Sequence, residues 1–155
     1  MKLKFDSKSV VGLVRKANED SLDVKFIKKH NIKLFIVCDG MGGHVGGARA
    51  SQIAVSSIVE YFSATPNEIP QIALKEAVQF ANMQIYAESQ SKPDLKNMGT
   101  TCAVLMEKDG IINIAHVGDS RIYISSDKQL YRITKDHSFV QSLVDARKIS
   151  DAEME

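Results

Sequence analysis

Five of the nine glycines in the chain fall between Gly40 and Gly47, immediately after the apolar run Phe35-Ile-Val-Cys38 and the carboxylate of Asp39. Glycine lacks a Cβ, so its backbone packs closely and takes conformations closed to other residues. The pattern predicts a buried strand ending in a rigidly held acid, then a flexible turn with open space beside it. Carbonyls exposed in such a turn suit a hard cation. An isolated Asp-Gly is more simply a turn into a helix. A helix does follow in the pattern: Val45, Ala48, Val55, Ile58, Val59 and Phe62 recur at helical spacing.

The remaining periodicity sets hairpins around a helix pair. Residues 3–11 alternate weakly and predict a first strand. Ser21–Ile27 and Lys33–Cys38 predict two strands joined by a polar turn at His30-Asn31. Thr65-Pro66-Asn67-Glu68 breaks the first helix and offers a capping box for a second. Ile69, Ile72, Ala73, Ala77, Phe80, Ala81 and Ile85 stripe that second helix, which ends before Pro93. Gly99–Lys108 and Ile111–Val117 are strand runs joined by Asp109-Gly110, a strong hairpin signal. Arg121–Ile124 and Leu130–Ile133 predict another strand pair. Ser138–Lys148 returns to helical spacing, and a further helix is expected to begin near Glu155. Strand runs separated by a helix pair imply an α+β class with antiparallel sheets.

Twenty Lys+Arg against 19 Asp+Glu leave a formal charge of +1, without the basic excess that phosphate-neutralising nucleic-acid binders carry. The N-terminus has no signal-peptide apolar core, and no run approaches the roughly 20 apolar residues of a membrane helix. Cys38 and Cys102 lie in apolar runs and read as buried free thiols. A cytoplasmic chain without membrane or nucleic-acid partners is the expectation. Zinc-type Cys/His spacing and the Gly-x-Ser-x-Gly elbow are both missing from the sequence. Gly42-x₄-Gly47 is followed by Ala48-Arg49 rather than Lys-Ser/Thr, so the Walker pattern fails.

Three other groups carry chemistry. Arg15-Lys-Ala-Asn18-Glu19-Asp20 sets adjacent carboxylates before a strand with a guanidinium upstream; such acids repel unless a cation or proton intervenes, and arginine grips phosphate bidentately. Val117-Gly118-Asp119-Ser120-Arg121 again ends a strand in an acid. Asp136-His137-Ser138 reads foremost as the cap of the next helix. Glu19, Asp20, Asp39 and Asp119 are hard oxygen donors suited to Mg²⁺ or Mn²⁺.

In order along residues 10–152, the blocks G-L-V-R-K-A-N-E-D, V-C-D-G-M-G-G-H-V-G-G, G-T-T, A-H-V-G-D-S-R-I-Y and L-Y-R-I-T-K-D-H-S resemble the metal-dependent protein phosphatases of type 2C, the PPM family, in their bacterial form. Each block alone is weak; five in order are specific. The resemblance implies a four-layer α-β-β-α sandwich of two antiparallel sheets flanked by helices. It implies a hydrolase acting in signalling on phosphoserine and phosphothreonine through a hydroxide bridging two Mn²⁺ or Mg²⁺ ions, with a third, weaker ion. Asp39 then bridges the metals, Gly40 offers its carbonyl, Glu19 lies beside the pair and Asp20 positions metal-bound water. Arg15 grips the phosphate and Asp119 ligates the third ion. Phosphoproteins would be the substrates and a Ser/Thr kinase the counterpart.

The sequence departs from that family in three places. Met41 stands where many eukaryotic members have histidine, as it commonly does in bacterial members, which leaves proton delivery to water or to His44. Arg147 stands where the family often has glycine. A later Asp-Gly and Asp-Asn that complete the dimetal site are missing, so residues 1–155 are expected to be the N-terminal portion of a single domain, incomplete at the C-terminus and of little activity alone. The alternative is a catalytically incomplete module that binds a phosphoprotein or signalling partner.

Overall fold

The alternation Ile32, Leu34, Ile36, Cys38 decides how the layers stack. In the computed structural model, which describes residues 3–42, 45–64 and 66–148, β1 (Asp20–Ile27) and β2 (Ile32–Met41) form an antiparallel hairpin. On its other edge β2 pairs with β4 (Cys102–Lys108), which pairs with β5 (Ile111–Val117). The sheet order is β1-β2-β4-β5, and the short β3 (Gly99–Thr100) extends the ladder at the end of β2. Two helices, α1 (Val45–Ser63) and α2 (Pro70–Ser91), intervene between β2 and β3.

Because strand side chains alternate faces, the even-numbered apolar residues of β2, with Cys102, Val104 and Met106 of β4, share one side. They bury against Ala54, Ile58 and Phe62 of α1 and Ala73, Leu74, Ala77 and Ala81 of α2. Both cysteines are buried and free, as their apolar surroundings predict. Outside the core, Arg49 of α1 donates two hydrogen bonds to Glu88 of α2, at 2.9 and 2.7 Å, and Lys92 adds a third at 2.8 Å. Those donors hold the Glu88 carboxyl down to about 2.

The opposite face carries Phe35 and Val37 of β2 across from Val24 and Leu22 of β1. Asp20 and Asp39 sit at its end. Phe5 lies on this face, its ring centroid 5.7 Å from Phe26 and 6.0 Å from Phe35. The strand predicted over residues 3–11 does not form. Phe5 makes these ring contacts, whereas Val10 and Val11 stay exposed, so the weak alternation has no face to bury.

Other boundaries shift for local reasons. Lys33–Cys38 extends to Ile32–Met41 because Thr100 and Gly99 pair with Gly40 and Met41. The predicted run Gly99–Lys108 breaks at Thr101. The second hairpin forms as β6 (Tyr123–Ser126) and β7 (Gln129–Arg132) around Asp127 and Lys128, both at positive φ, as a tight two-residue turn requires. The proposed capping box does not start α2. Pro70 takes the first position, Ile69 offers no side-chain cap, and Asn67 Oδ1 accepts from the Ile69 N–H; Thr65 lies outside the described residues. Ser138 caps α3 (Phe139–Asp145) by accepting from the Gln141 N–H. The helix expected near Glu155 lies outside the described residues.

The α+β class with antiparallel sheets stands. A single helix pair on the large sheet and the two-stranded β6–β7 sheet are formed among the described residues.

Arg147 closes α3 at φ +55°, its N–H donating to Val144 and that of Lys148 to Leu143. A left-handed residue with a Cβ carries a steric penalty of about 1 kcal/mol or more. Arg147→Gly is expected to slow amide exchange at Arg147 and Lys148 by about fivefold, the factor that ~1 kcal/mol represents; measured by NMR, unchanged rates would show that the position carries no strain.

Candidate active site

The β1–β2 register sets Asp20 directly opposite Asp39, on the face turned away from the helices. Partial desolvation first, then the neighbouring Asp20 carboxylate, and then the charge of Asp119 push the Asp39 carboxyl up, while Arg15 pulls it down. Four of the residues singled out by sequence therefore share one electrostatic neighbourhood.

Glu19 turns the other way. Its side chain is buried, with Oε2 3.9 Å from Nη1 of Arg15. Its carbonyl accepts from Ser51 Oγ at 2.6 Å and from the Gly40 N–H at 3.2 Å. Gly40 and Gly47 explain why glycine is needed here. A Cβ on Gly40 would stand 2.1 Å from the Gly47 carbonyl oxygen, and one on Gly47 would stand 2.8 Å from Glu19 Oε2. The first turn of α1 thus lies against the end of β2, with Glu19 beneath it.

The main chain of Asp39 is clamped from β3–β4. Its carbonyl accepts from the Thr101 N–H and Thr100 Oγ1, both at 2.9 Å, and its N–H donates to Thr101 Oγ1 at 2.9 Å. The G-T-T block was noticed in sequence only as a motif; Thr100, Thr101 and Ser51 were not recognised as supports, because small polar residues leave no mark on hydrophobic periodicity.

Asp119 follows β5 beyond Gly118 and is exposed. The Asp136-His137-Ser138 knot separates into three roles. Ser138 caps α3. Asp136 takes a bidentate ion pair from Arg121, with Nη2 at 2.7 Å, which lowers its carboxyl. The His137 ring lies 4.9 Å from that of His116, tilted by 52°, and the backbone N–H of His137 donates to the Gly118 carbonyl. Met41, where histidine was considered, is exposed. His44 lies outside the described residues.

The donor set fits a hard divalent cation in part. Opposed carboxylates favour a cation between them, and Asp20 and Asp39 provide such a pair. Among the described residues no three His, Cys, Asp or Glu side chains gather into a complete metal cage.

The profile of the family described as Protein phosphatase 2C matches residues 14–148. The chain belongs to the protein phosphatase 2C family. It is 36% identical over 151 residues to the serine/threonine protein phosphatase PstP of Mycobacterium tuberculosis, covering 97% of this chain and 28% of that protein. To a putative protein phosphatase 2C-type of Streptococcus pyogenes serotype M6 it is 38% identical over 154 residues, covering 97% and 62%. Among solved structures, Stp1 of Staphylococcus aureus superposes with a TM-score of 0.82 at 36% identity, over 92% of this chain and 57% of that one. The PstP catalytic domain in complex with two manganese ions superposes at 0.78 with 37% identity, over 92% and 59%. The chain thus spans less than two thirds of the length of these relatives.

Two outcomes follow from the geometry. Gly40→Ala forces a Cβ into backbone and is expected to destabilise the fold by about 1–3 kcal/mol, read from urea unfolding; an unchanged midpoint would contradict the close approach. The second concerns pH. The Asp39 pKa is raised in the folded chain above the ordinary ~3.9, so its ionisation opposes folding. That penalty is absent below the unfolded value and is complete above the folded one. In chelator, Asp39→Asn is expected to raise the melting temperature at pH 7, the gain disappearing as pH falls toward 3. A destabilised Asn variant at pH 7 would show that the carboxylates do not repel.

Proposed function

We propose that the chain is the N-terminal portion of one type-2C-like phosphatase domain that hydrolyses phosphoserine and phosphothreonine in a metal-dependent reaction. The observation that carries this reading is the opposed Asp20–Asp39 pair with Arg15 beside it, in a chain of the protein phosphatase 2C family. Asp39 and Asp20 would hold two Mn²⁺ or Mg²⁺ ions, with Glu19 beside them, the Gly40 carbonyl as a further oxygen donor and Asp119 toward a third ion. When bound, the ions supply Lewis-acid charge that lowers the pKa of water and stabilises charge on the transferring phosphoryl group.

The residues of the chain do the rest. Asp39 is fixed by its ladder bonds, so its carboxylate points into the site without a search over rotatable backbone. Asp20 accepts from the water side. Arg15, largely exposed and within reach of Asp39 and Glu19, orients the phosphate oxygens through its fork of N–H donors. Positioning and electrostatics supply the larger part of the rate.

Phosphoproteins are the proposed substrates, with a Ser/Thr kinase as counterpart. The net charge of +1 supports a partner other than nucleic acid. Among the described residues no helix is long and apolar enough to cross a membrane. The free thiols of Cys38 and Cys102 suit the reducing cytoplasm where we place the protein. The reading of a non-catalytic module is not favoured, since the matched relatives are named as phosphatases.

The test is hydrolysis of p-nitrophenyl phosphate by the full-length gene product. Turnover is expected to require Mn²⁺ or Mg²⁺, to stop in excess chelator, and to fall at least about 10²-fold in Asp39→Asn, the scale of losing a principal electrostatic contributor. Undiminished activity in chelator or in the variant would overturn the mechanism. Residues 1–155 alone are expected to turn over little, and robust activity from them would show that their own acids suffice.

A further inference from the structure

We propose that Thr101 is a positioning residue for this reaction: its hydroxyl, relayed through Ser120, locks the backbone of Asp39 to the loop that carries Asp119. The activity arm of its test rests on the phosphatase reading above; the backbone arm does not.

The β2–β4 and β2–β3 pairings keep one register, with Val37 opposite Ala103 and Gly40 opposite Thr100, so Asp39 faces Thr101. In a regular antiparallel ladder these two residues would exchange N–H to carbonyl bonds. Only one of the two is made. The Thr101 N–H donates to the Asp39 carbonyl at 2.9 Å, but the Asp39 N–H donates to the Thr101 side-chain oxygen, also at 2.9 Å. The Thr101 carbonyl lies 2.9 Å from Thr100 Oγ1, whose single proton it shares with the Asp39 carbonyl. The ladder is interrupted at one residue, the one opposite the central acid of the site.

A hydroxyl has two lone pairs and one proton. With one lone pair taken by Asp39, Thr101 Oγ1 still shares a hydrogen bond of 2.6 Å with Ser120 Oγ. Ser120 adjoins Asp119. The methyl of Thr101 is engaged as well: a Cβ on Gly118, which sits at φ +100°, would stand 2.7 Å from Thr101 Cγ2. Gly118 therefore admits the methyl, and the loop after β5 closes onto Thr101. The N–H and hydroxyl of one residue thus hold the Asp39 main chain, while its hydroxyl and methyl hold the loop after β5. Threonine supplies all three; serine lacks the methyl and valine lacks the hydroxyl.

Thr101 does not supply a carboxylate and acts through Asp39 and the Asp119 loop. Groups that orient metal-binding residues at one remove typically affect metal affinity by about 10–100-fold.

The experiment compares Thr101→Val, Thr101→Ser and Ser120→Ala in the full-length gene product. By NMR amide exchange without metal, Thr101→Val is expected to speed exchange of the Asp39 amide at least about tenfold relative to Leu34 and Val104, and Thr101→Ser is expected to restore it. The Mn²⁺ concentration for half-maximal p-nitrophenyl phosphate hydrolysis is expected to rise about tenfold or more in Thr101→Val, with KM for the ester unchanged at saturating Mn²⁺. It should return to within about threefold in Thr101→Ser. Ser120→Ala should shift it in the same direction, and the double variant with Thr101→Val should be no worse than Thr101→Val alone, as members of one relay are non-additive.

A wild-type Mn²⁺ requirement in Thr101→Val overturns the proposal. So does a Thr101→Ser variant as impaired as Thr101→Val, which would show that the hydroxyl is not what holds the Asp39 backbone. Additive losses for Thr101 and Ser120 overturn the relay. If Thr101→Val fails to fold, Ser120→Ala decides, and an unshifted Mn²⁺ requirement there overturns it. If the wild-type protein shows no metal-dependent hydrolysis, the phosphatase reading fails and the Asp39 amide alone decides the positioning claim.

Discussion

Gly40 and Gly47 meet backbone to backbone, and the geometry of the site is built on that contact. With no Cβ on either side, the first turn of α1 comes to rest on the end of β2 and covers Glu19. The Glu19 carbonyl, held by Gly40 and Ser51, then fixes where β1 begins, and with it the position of Asp20. A bulkier residue at either glycine would separate helix from strand and shift both elements that flank the acids.

Strand parity does the next part of the work. Even-numbered residues of β2 enter the core against α1 and α2, so the odd-numbered Asp39 must project from the other face, and the register brings Asp20 beside it. A one-residue slip of β2 would turn Asp39 toward the helices and the strand's apolar residues outward. The same apolar packing that stabilises the sheet therefore dictates which surface carries negative charge. The ion pair between Arg121 and Asp136 adds a separate tie, joining the loop after β5 to the segment that leads into α3.

Much of this was readable from residues. The helix stripes, the Asp109-Gly110 hairpin with φ of 53° and 81°, and the buried thiols follow from periodicity and turn chemistry, which act locally. Arg15, Asp20, Asp39 and Asp119 stood out as charges beside apolar runs, their roles came from the family resemblance, and the ladder sets Asp20 opposite Asp39. Residues 3–11 misled because weak alternation says nothing about whether a partner strand exists. The end of β2 was misplaced because its partner, β3, comes from a segment some sixty residues onward. Ser51 and Thr101 escaped notice for a related reason: a hydroxyl inside an apolar stretch gains meaning only from what faces it across space.

The ladder between β2 and β4 also has a kinetic side. Asp39 and Thr101 are 62 positions apart, and the whole of α1 and α2 lies between them. Closing so long a loop costs entropy before any strand bond compensates for it, and long-range pairings of this kind slow a chain's search for its native state. Local structure, the β1–β2 hairpin and the helix pair, can form early and bring the distant strand back. The main-chain N–H and carbonyl of Asp39 bond only across that separation, so the acid at the centre of the site owes its fixed backbone to long-range contacts.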